Sequence, residues 1–142
     1  MDARSILALD VGSKRVGVAI ASLAARYPSP QTTLERTPNF AEELAVIIDA
    51  EDPAALVIGL PRGLEGQTTA QTAQTELFAE ELRQAFGLPI YFQDEALTSQ
   101  KAEDELEARG ATYQKGDIDA LAATYILEDF LTDNPQLDEV GS

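Results

Sequence analysis

The stretch that most constrains this chain is "ILALDVGSKRVGVAIA", residues 6 to 21. An apolar strand pattern ends on Asp10, turns through Gly12, shows Lys14 and Arg15, and becomes apolar again. Two apolar runs separated by so short a glycine-containing turn predict a β-hairpin. A carboxylate at the end of a core strand costs free energy unless something pairs with it. The rest of the chain must supply that partner.

The downstream pattern alternates strands and helices. "QTTLERT" predicts a third strand after the proline-containing loop "YPSP", and "NFAEELAVIIDAED" a helix with Phe40, Leu44, Ile47 and Ile48 on its core side. "ALVIGLP" predicts a short buried strand. The next helical pattern would bury Ala70, Ala73, Leu77, Leu82 and Phe86 and end at Gly87. "LPIYFQDE" reads as a further strand, "SQKAEDELEARG" as a polar helix ending at Gly110, and "DIDALAATYILEDFL" as an apolar helix that crosses the sheet. A hairpin followed by strands alternating with helices implies an α/β fold, a mixed sheet covered by helices. The 142 residues fit one domain, 1–133, with 134–142 as a frayed tail.

Composition narrows the chemistry. The chain has no Cys and no His, so disulfides, thiolate nucleophiles and the commonest general base and transition-metal ligand are all excluded. Catalysis must run on carboxylates, hydroxyls, Lys or Arg. No run of about 18 apolar residues is present to span a membrane. "MDARS" leads straight into a strand pattern without the features of a secretory signal, so a cytoplasmic protein without membrane contact is expected. A formal charge of −15 speaks against a broad basic face of the kind duplex DNA needs. The acids concentrate in helical stretches such as "AEDELEA", whereas Lys14, Arg15, Arg62 and Lys115 sit beside glycines and turns.

Three acidic positions fall where core elements end or begin: Asp10, the pair Asp94–Glu95, and Asp119 with Asp117 just before it. Asp117 is an N-cap candidate, and an acid in a first helical turn is favoured by the helix dipole, so each has an ordinary structural role open to it. In an α/β sheet the carboxyl ends of parallel strands form the usual ligand crevice. Carboxylates that converge there repel, and a hard divalent cation such as Mg²⁺ or Mn²⁺, which takes oxygen ligands and binds phosphates, removes the conflict. Two such ions can activate water and stabilise the leaving oxygen of a phosphodiester without His or Cys.

With these residues in place, the chain resembles the YqgF/RuvX family, described as pre-16S rRNA nucleases and, in older usage, as Holliday junction resolvases. "LALDVGSKRVGVA", "VIGLPRGLEG", "DEALTS" and "KGDIDALAATYIL" resemble the family's ordered motifs across nearly the whole chain. The resemblance implies a ribonuclease-H-like fold, a five-stranded mixed sheet with helices on both faces. It also implies a metal site of Asp10, Glu95 and Asp119 for Mg²⁺ or Mn²⁺; on physical grounds two ions are expected, with Asp10, at the sheet centre, bridging them. Lys14 and Arg15 are expected to hold a phosphate near the ions, and Arg62, Lys115 and Thr98 are further candidates for substrate contact. Thr98 is also a candidate N-cap of the following helix. The chain departs from the family pattern at Ala96, commonly Arg, and at Ser99, commonly Thr.

The expected activity is metal-dependent hydrolysis of RNA, in 5′-end processing of pre-16S rRNA, by a monomer or a homodimer. Cleavage of branched DNA and a non-catalytic RNA- or protein-binding adaptor on the same fold are the alternatives. An Asp-x-Gly hairpin also opens actin-like ATPases, but those need a second lobe for which this chain is too short.

Overall fold

A computed structural model describes residues 4–61, 65–95, 98–110 and 115–135. Strand β1 (Ser5–Val11) lies at the centre because Ile6, Leu7, Ala8 and Leu9 are apolar on both of its faces and all fully buried. It pairs antiparallel with β2 (Arg15–Ser22), Val11 opposite Val16, so the hairpin expected from the opening stretch forms around Gly12–Lys14. Strand β3 (Ser29–Glu35) adds to β2 as an antiparallel edge. It starts earlier than "QTTLERT" suggests, inside the proline loop. Pro30 is tolerated there because the strand is an edge and the register shifts between Val18 and Ala19, where Pro30 pairs.

On the other side of β1 the sheet is parallel. Helix α1 (Phe40–Glu51) leads into β4 (Pro53–Pro61), and helix α2 (Ala70–Phe86) into β5 (Ile90–Glu95), giving the order β3-β2-β1-β4-β5. Helices α3 (Thr98–Ala108) and α4 (Lys115–Asp133) complete the chain. Helices lie on both faces of a five-stranded mixed sheet, as expected. Helices α1 and α2 cover one face, where Leu7, Leu9, Val16, Val18, Leu56 and Ile58 meet Leu44, Phe78 and Leu82. Helix α4 covers the other, and α3 packs on the outside of α4 through Ala102, Leu106, Leu121 and Ala122.

Helix α2 turns a different face inward from the one its apolar spacing suggests. Thr72, Thr75, Phe78, Ala79 and Leu82 are buried, while Leu77 is 68% exposed. The cause is polar: Thr69 and Thr72 form a reciprocal capping box, and the Thr72 hydroxyl donates to the Pro61 carbonyl. With its hydroxyl satisfied, Thr72 is buried without penalty and fixes the rotation of the helix. Gly87 caps the C-terminus in a left-handed conformation, as expected.

Helix α4 approaches the sheet closely because that face is lined with small residues. Ala8, Ala19, Ala21 and Ala55 share it with Ile6 and Val57. At Gly17 the helix backbone occupies the space itself: a Cβ there would overlap the Asp119 carbonyl. Both ends of α4 are tied to the antiparallel half of the sheet. The Thr33 hydroxyl donates to the Gly116 carbonyl at 2.5 Å, and the Arg26 guanidinium donates to the carbonyls of Leu131 and Asn134 at 2.8 and 2.9 Å. Because the helix begins at Lys115, Asp117 lies inside its first turn rather than capping it, and Asp119 opens the second.

Two stability outcomes follow. Gly17→Ala should lower stability by ~1–3 kcal/mol or more, since the only relief is withdrawal of α4 from β2. Phe78→Ala should cost ~3–5 kcal/mol, whereas Leu77→Ala should stay within ~0.5 kcal/mol. Urea denaturation of the three variants checks both, and comparable losses at 77 and 78 would refute the rotation of α2.

Candidate acidic site

Asp10 is the penultimate residue of β1 and points to the α4 side of the sheet, where it is only 8% exposed. Its antiparallel partner across β2 is Gly17. On the parallel side, β4 pairs Ile58 with Leu9, and the next β4 residue is Gly59. The buried carboxylate is thus flanked by two strand glycines, and each clears room for another acid. Helix α4 passes over Gly17 and brings Asp119 in. Glu95, the last residue of β5 and the register partner of Pro61, reaches back over Gly59, where a Cβ would lie 2.9 Å from its Oε2.

Asp10 and Glu95 meet in a carboxyl–carboxyl hydrogen bond. Burial first, then the charge and hydrogen bond of Glu95, then the charge of Asp119, push the Asp10 carboxyl from its usual 3.8 up to about 8. Asp94, on the opposite parity of β5, is exposed. Asp119 does not join the pair directly: its Oδ2 accepts from Arg15 Nε at 2.6 Å. Arg15, expected to hold a phosphate, is paired in this structure with the third acid of the set. Among the described residues no three acidic side chains gather closely enough to hold one metal ion.

The donor set nevertheless suits a hard cation. Asp10 and Glu95 are oxygen ligands pressed together in a buried place, and such a pair is satisfied either by a shared proton or by a cation both can ligate. Asp119 supplies a further oxygen within electrostatic range of Asp10. Lys14 is exposed in the hairpin turn and lines a shallow cavity with Arg15 and Arg36. Arg62 and the side chains of Thr98 and Lys115 lie outside the described residues; α3 and α4 begin at Thr98 and Lys115.

Sequence reasoning missed Gly17 and Gly59. The available signal was a glycine within each of two otherwise apolar strands, a mark of close approach by another group. It also missed Arg36, whose backbone N–H donates to the Lys14 carbonyl at 2.8 Å and whose guanidinium donates to the Gly12 carbonyl at 3.0 Å, bracing the hairpin turn.

A central hairpin strand carrying a buried acid, with a second acid from a parallel strand and a third from the helix across them, defines the ribonuclease-H-like class. A family model described as "RuvX: Holliday junction resolvase" matches residues 4–133, and the chain belongs to the RuvX family. A protein of Gloeothece citriformis named "Putative pre-16S rRNA nuclease" is 40% identical over 129 residues, covering 88% of this chain and 85% of its own. One of the same name from Maridesulfovibrio salexigens is 41% identical over 130 residues, covering 89% and 96%. In structure the chain resembles RuvC of Thermus thermophilus, with a TM-score of 0.54 at 15% identity over 92% of this chain and 96% of that one. It also resembles the Fowlpox virus resolvase solved with Holliday junction DNA, with a TM-score of 0.55 at 12% identity over 93% and 99%. At these identities the likeness is one of fold. No helix among the described residues is long and apolar enough to cross a membrane.

The raised Asp10 carboxyl makes stability depend on pH. The folded chain keeps a proton that the unfolded chain releases above about 4, so stability should fall as pH rises from about 4 towards about 8 and then level off. In chelator-containing buffer, Asp10→Asn should flatten this fall and be ~2–4 kcal/mol more stable than the parent near the upper end. Denaturant titrations across that pH range measure it, and parallel curves for the two proteins would refute the buried-carboxyl account.

Proposed function

We propose that the chain is a divalent-metal-dependent nuclease that hydrolyses phosphodiester bonds in RNA, acting in the cytoplasm on the 5′ end of pre-16S rRNA. Asp10, Glu95 and Asp119 are its ligands for Mg²⁺ or Mn²⁺. The observation that carries this reading is the contact between Asp10 and Glu95, two acids from separate strands brought together at the carboxyl end of the sheet. A fold stabilised for its own sake would not hold two carboxylates against each other in a buried place. Bound to them, two such ions would supply an activated water and charge compensation for the leaving oxygen.

The chain's own residues do the remaining work. Asp10, fixed on the central strand, cannot move without disturbing the sheet, so it sets the position of the site. Glu95 reaches it through a longer and more adjustable side chain. Arg15 is paired with Asp119, and an arriving phosphate competes for that guanidinium; its planar donors suit phosphate oxygens as well as a carboxylate. Lys14, exposed beside it, adds a point charge for the substrate backbone.

RNA is preferred over a four-way DNA junction on charge. Symmetric cutting of a junction needs a paired enzyme with a broad basic face, and a chain of net charge −15 is poorly suited to one. The name carried by the curated relatives supports the same substrate.

The test is to incubate the full chain with single-stranded RNA, a precursor 16S rRNA fragment and a four-way DNA junction, each with Mg²⁺, Mn²⁺ or chelator, beside Asp10→Asn. Cleavage of RNA that needs the metal and vanishes in the variant is expected. Cleavage that survives chelator or Asp10→Asn would defeat the metal mechanism. Paired symmetric cuts in the junction with RNA left intact would overturn the choice of substrate.

A further inference from the structure

A cavity of about 540 Å³ opens between the β1–β2 turn and the N-terminal half of α2. Gly12, Ser13, Arg36, Gln71, Gln74 and Thr75 line it. It lies at the same end of the sheet as the acids but on the opposite face, since Asp10 turns toward α4 and its neighbour Val11 toward this cavity. A second cavity of about 340 Å³ shares Ser13 and Arg36 with it and adds Lys14, Arg15 and Glu35. Arg15 in turn touches Asp119. A continuous surface therefore runs from the acids, past Arg15, Lys14 and Arg36, into the first cavity. Along its course Lys14 and Arg36 stand against Glu35, while Arg15 is paired with Asp119, so the cations are locally concentrated on a chain of net charge −15.

The lining of the first cavity distinguishes what it takes. Among the described residues that line it Arg36 is the only charged one, and that guanidinium is held in place, donating to the Gly12 carbonyl and lying 4.9 Å from the centre of the Phe78 ring. Gln71 and Gln74 are three residues apart, so both project from one side of α2, and both are exposed. Neither amide hydrogen-bonds to another described residue. A phosphate would call for cationic donors, whereas two carboxamides offer donors and acceptors side by side, as the edge of a nucleobase does. The volume falls within the range that encloses a small organic ligand.

We propose that this cavity is a subsite for one unpaired base of the RNA strand, with the Lys14–Arg36 surface holding the phosphates between that base and the acids. The subsite rests on the nuclease reading above and adds to it a preference for single-stranded over duplex RNA, because a paired base enters only at the cost of breaking its pairing and stacking.

The experiment measures binding rather than cleavage. The full chain carrying Asp10→Asn, so that the probe stays intact, is titrated against a short fluorescein-labelled single-stranded RNA and read by anisotropy. The same titrations use that RNA annealed to its complement and versions with one abasic nucleotide at each position. Gln71→Ala/Gln74→Ala, at two exposed positions, should weaken single-strand binding roughly tenfold and leave duplex binding unchanged. One abasic position should weaken the parent by a similar factor and have no further effect in the double variant. Equal affinity of parent and double variant, or an abasic penalty that persists in the variant, would overturn the subsite. If the wild-type chain cleaves RNA while the double variant binds like its parent, the subsite alone fails. If the chain binds no RNA and cuts only junctions, the nuclease substrate and the subsite fall together.

Discussion

The distance between α4 and β2 governs this molecule. Where most helices rest on a sheet through interlocking side chains, α4 sets its own backbone against Gly17, with alanines lining the neighbouring positions. That approach gives up some apolar burial, since alanine has little to bury. What it obtains is position: the second turn of the helix lies beside the strand residue that pairs with Asp10. Leu7, Leu9, Val16, Val18, Leu56 and Ile58 pack on the opposite face, so the acidic site shares its side of the sheet with the alanine-rich packing of α4 and lies across from the α1–α2 packing.

The electrostatics follow from that division. The acids are brought together by backbone geometry, against their mutual repulsion, and the protein moderates the conflict in two local ways. Asp10 and Glu95 share a hydrogen bond that requires a proton, and Asp119 is neutralised by Arg15. Both arrangements are displaceable by species of the right charge, a cation at the first and an anion at the second.

Much of the fold was legible in the sequence because it rests on periodicity: the hairpin, the strand–helix alternation and the apolar last helix were all written in apolar spacing. Helix α2 was misread because its inward face uses threonines, and whether a threonine can be buried depends on a carbonyl eleven residues away at Pro61. The start of α4 was misread because Gly116 is a poor helix former and is fixed by Thr33, on an edge strand far off in sequence. In the site, Asp10 was legible as an acid ending an apolar strand, and strand alternation separates Glu95 from Asp94 once the parity of β5 is known. The pairing of Arg15 with Asp119 was not, since no local signal links residues 104 positions apart.

That separation has a temporal side. The hairpin that carries Asp10 and Arg15 involves only near neighbours and forms early, as local contacts do. Glu95 enters with the last strand, and Asp119 only when the final helix settles over Gly17 and is fastened by Thr33 and Arg26. During synthesis the first half of the site therefore exists as an unaccompanied acid and an unaccompanied cation on neighbouring strands, with no organised chemistry between them. A chain interrupted before the last-made helix lacks both Asp119 and the cover that α4 places over Gly17.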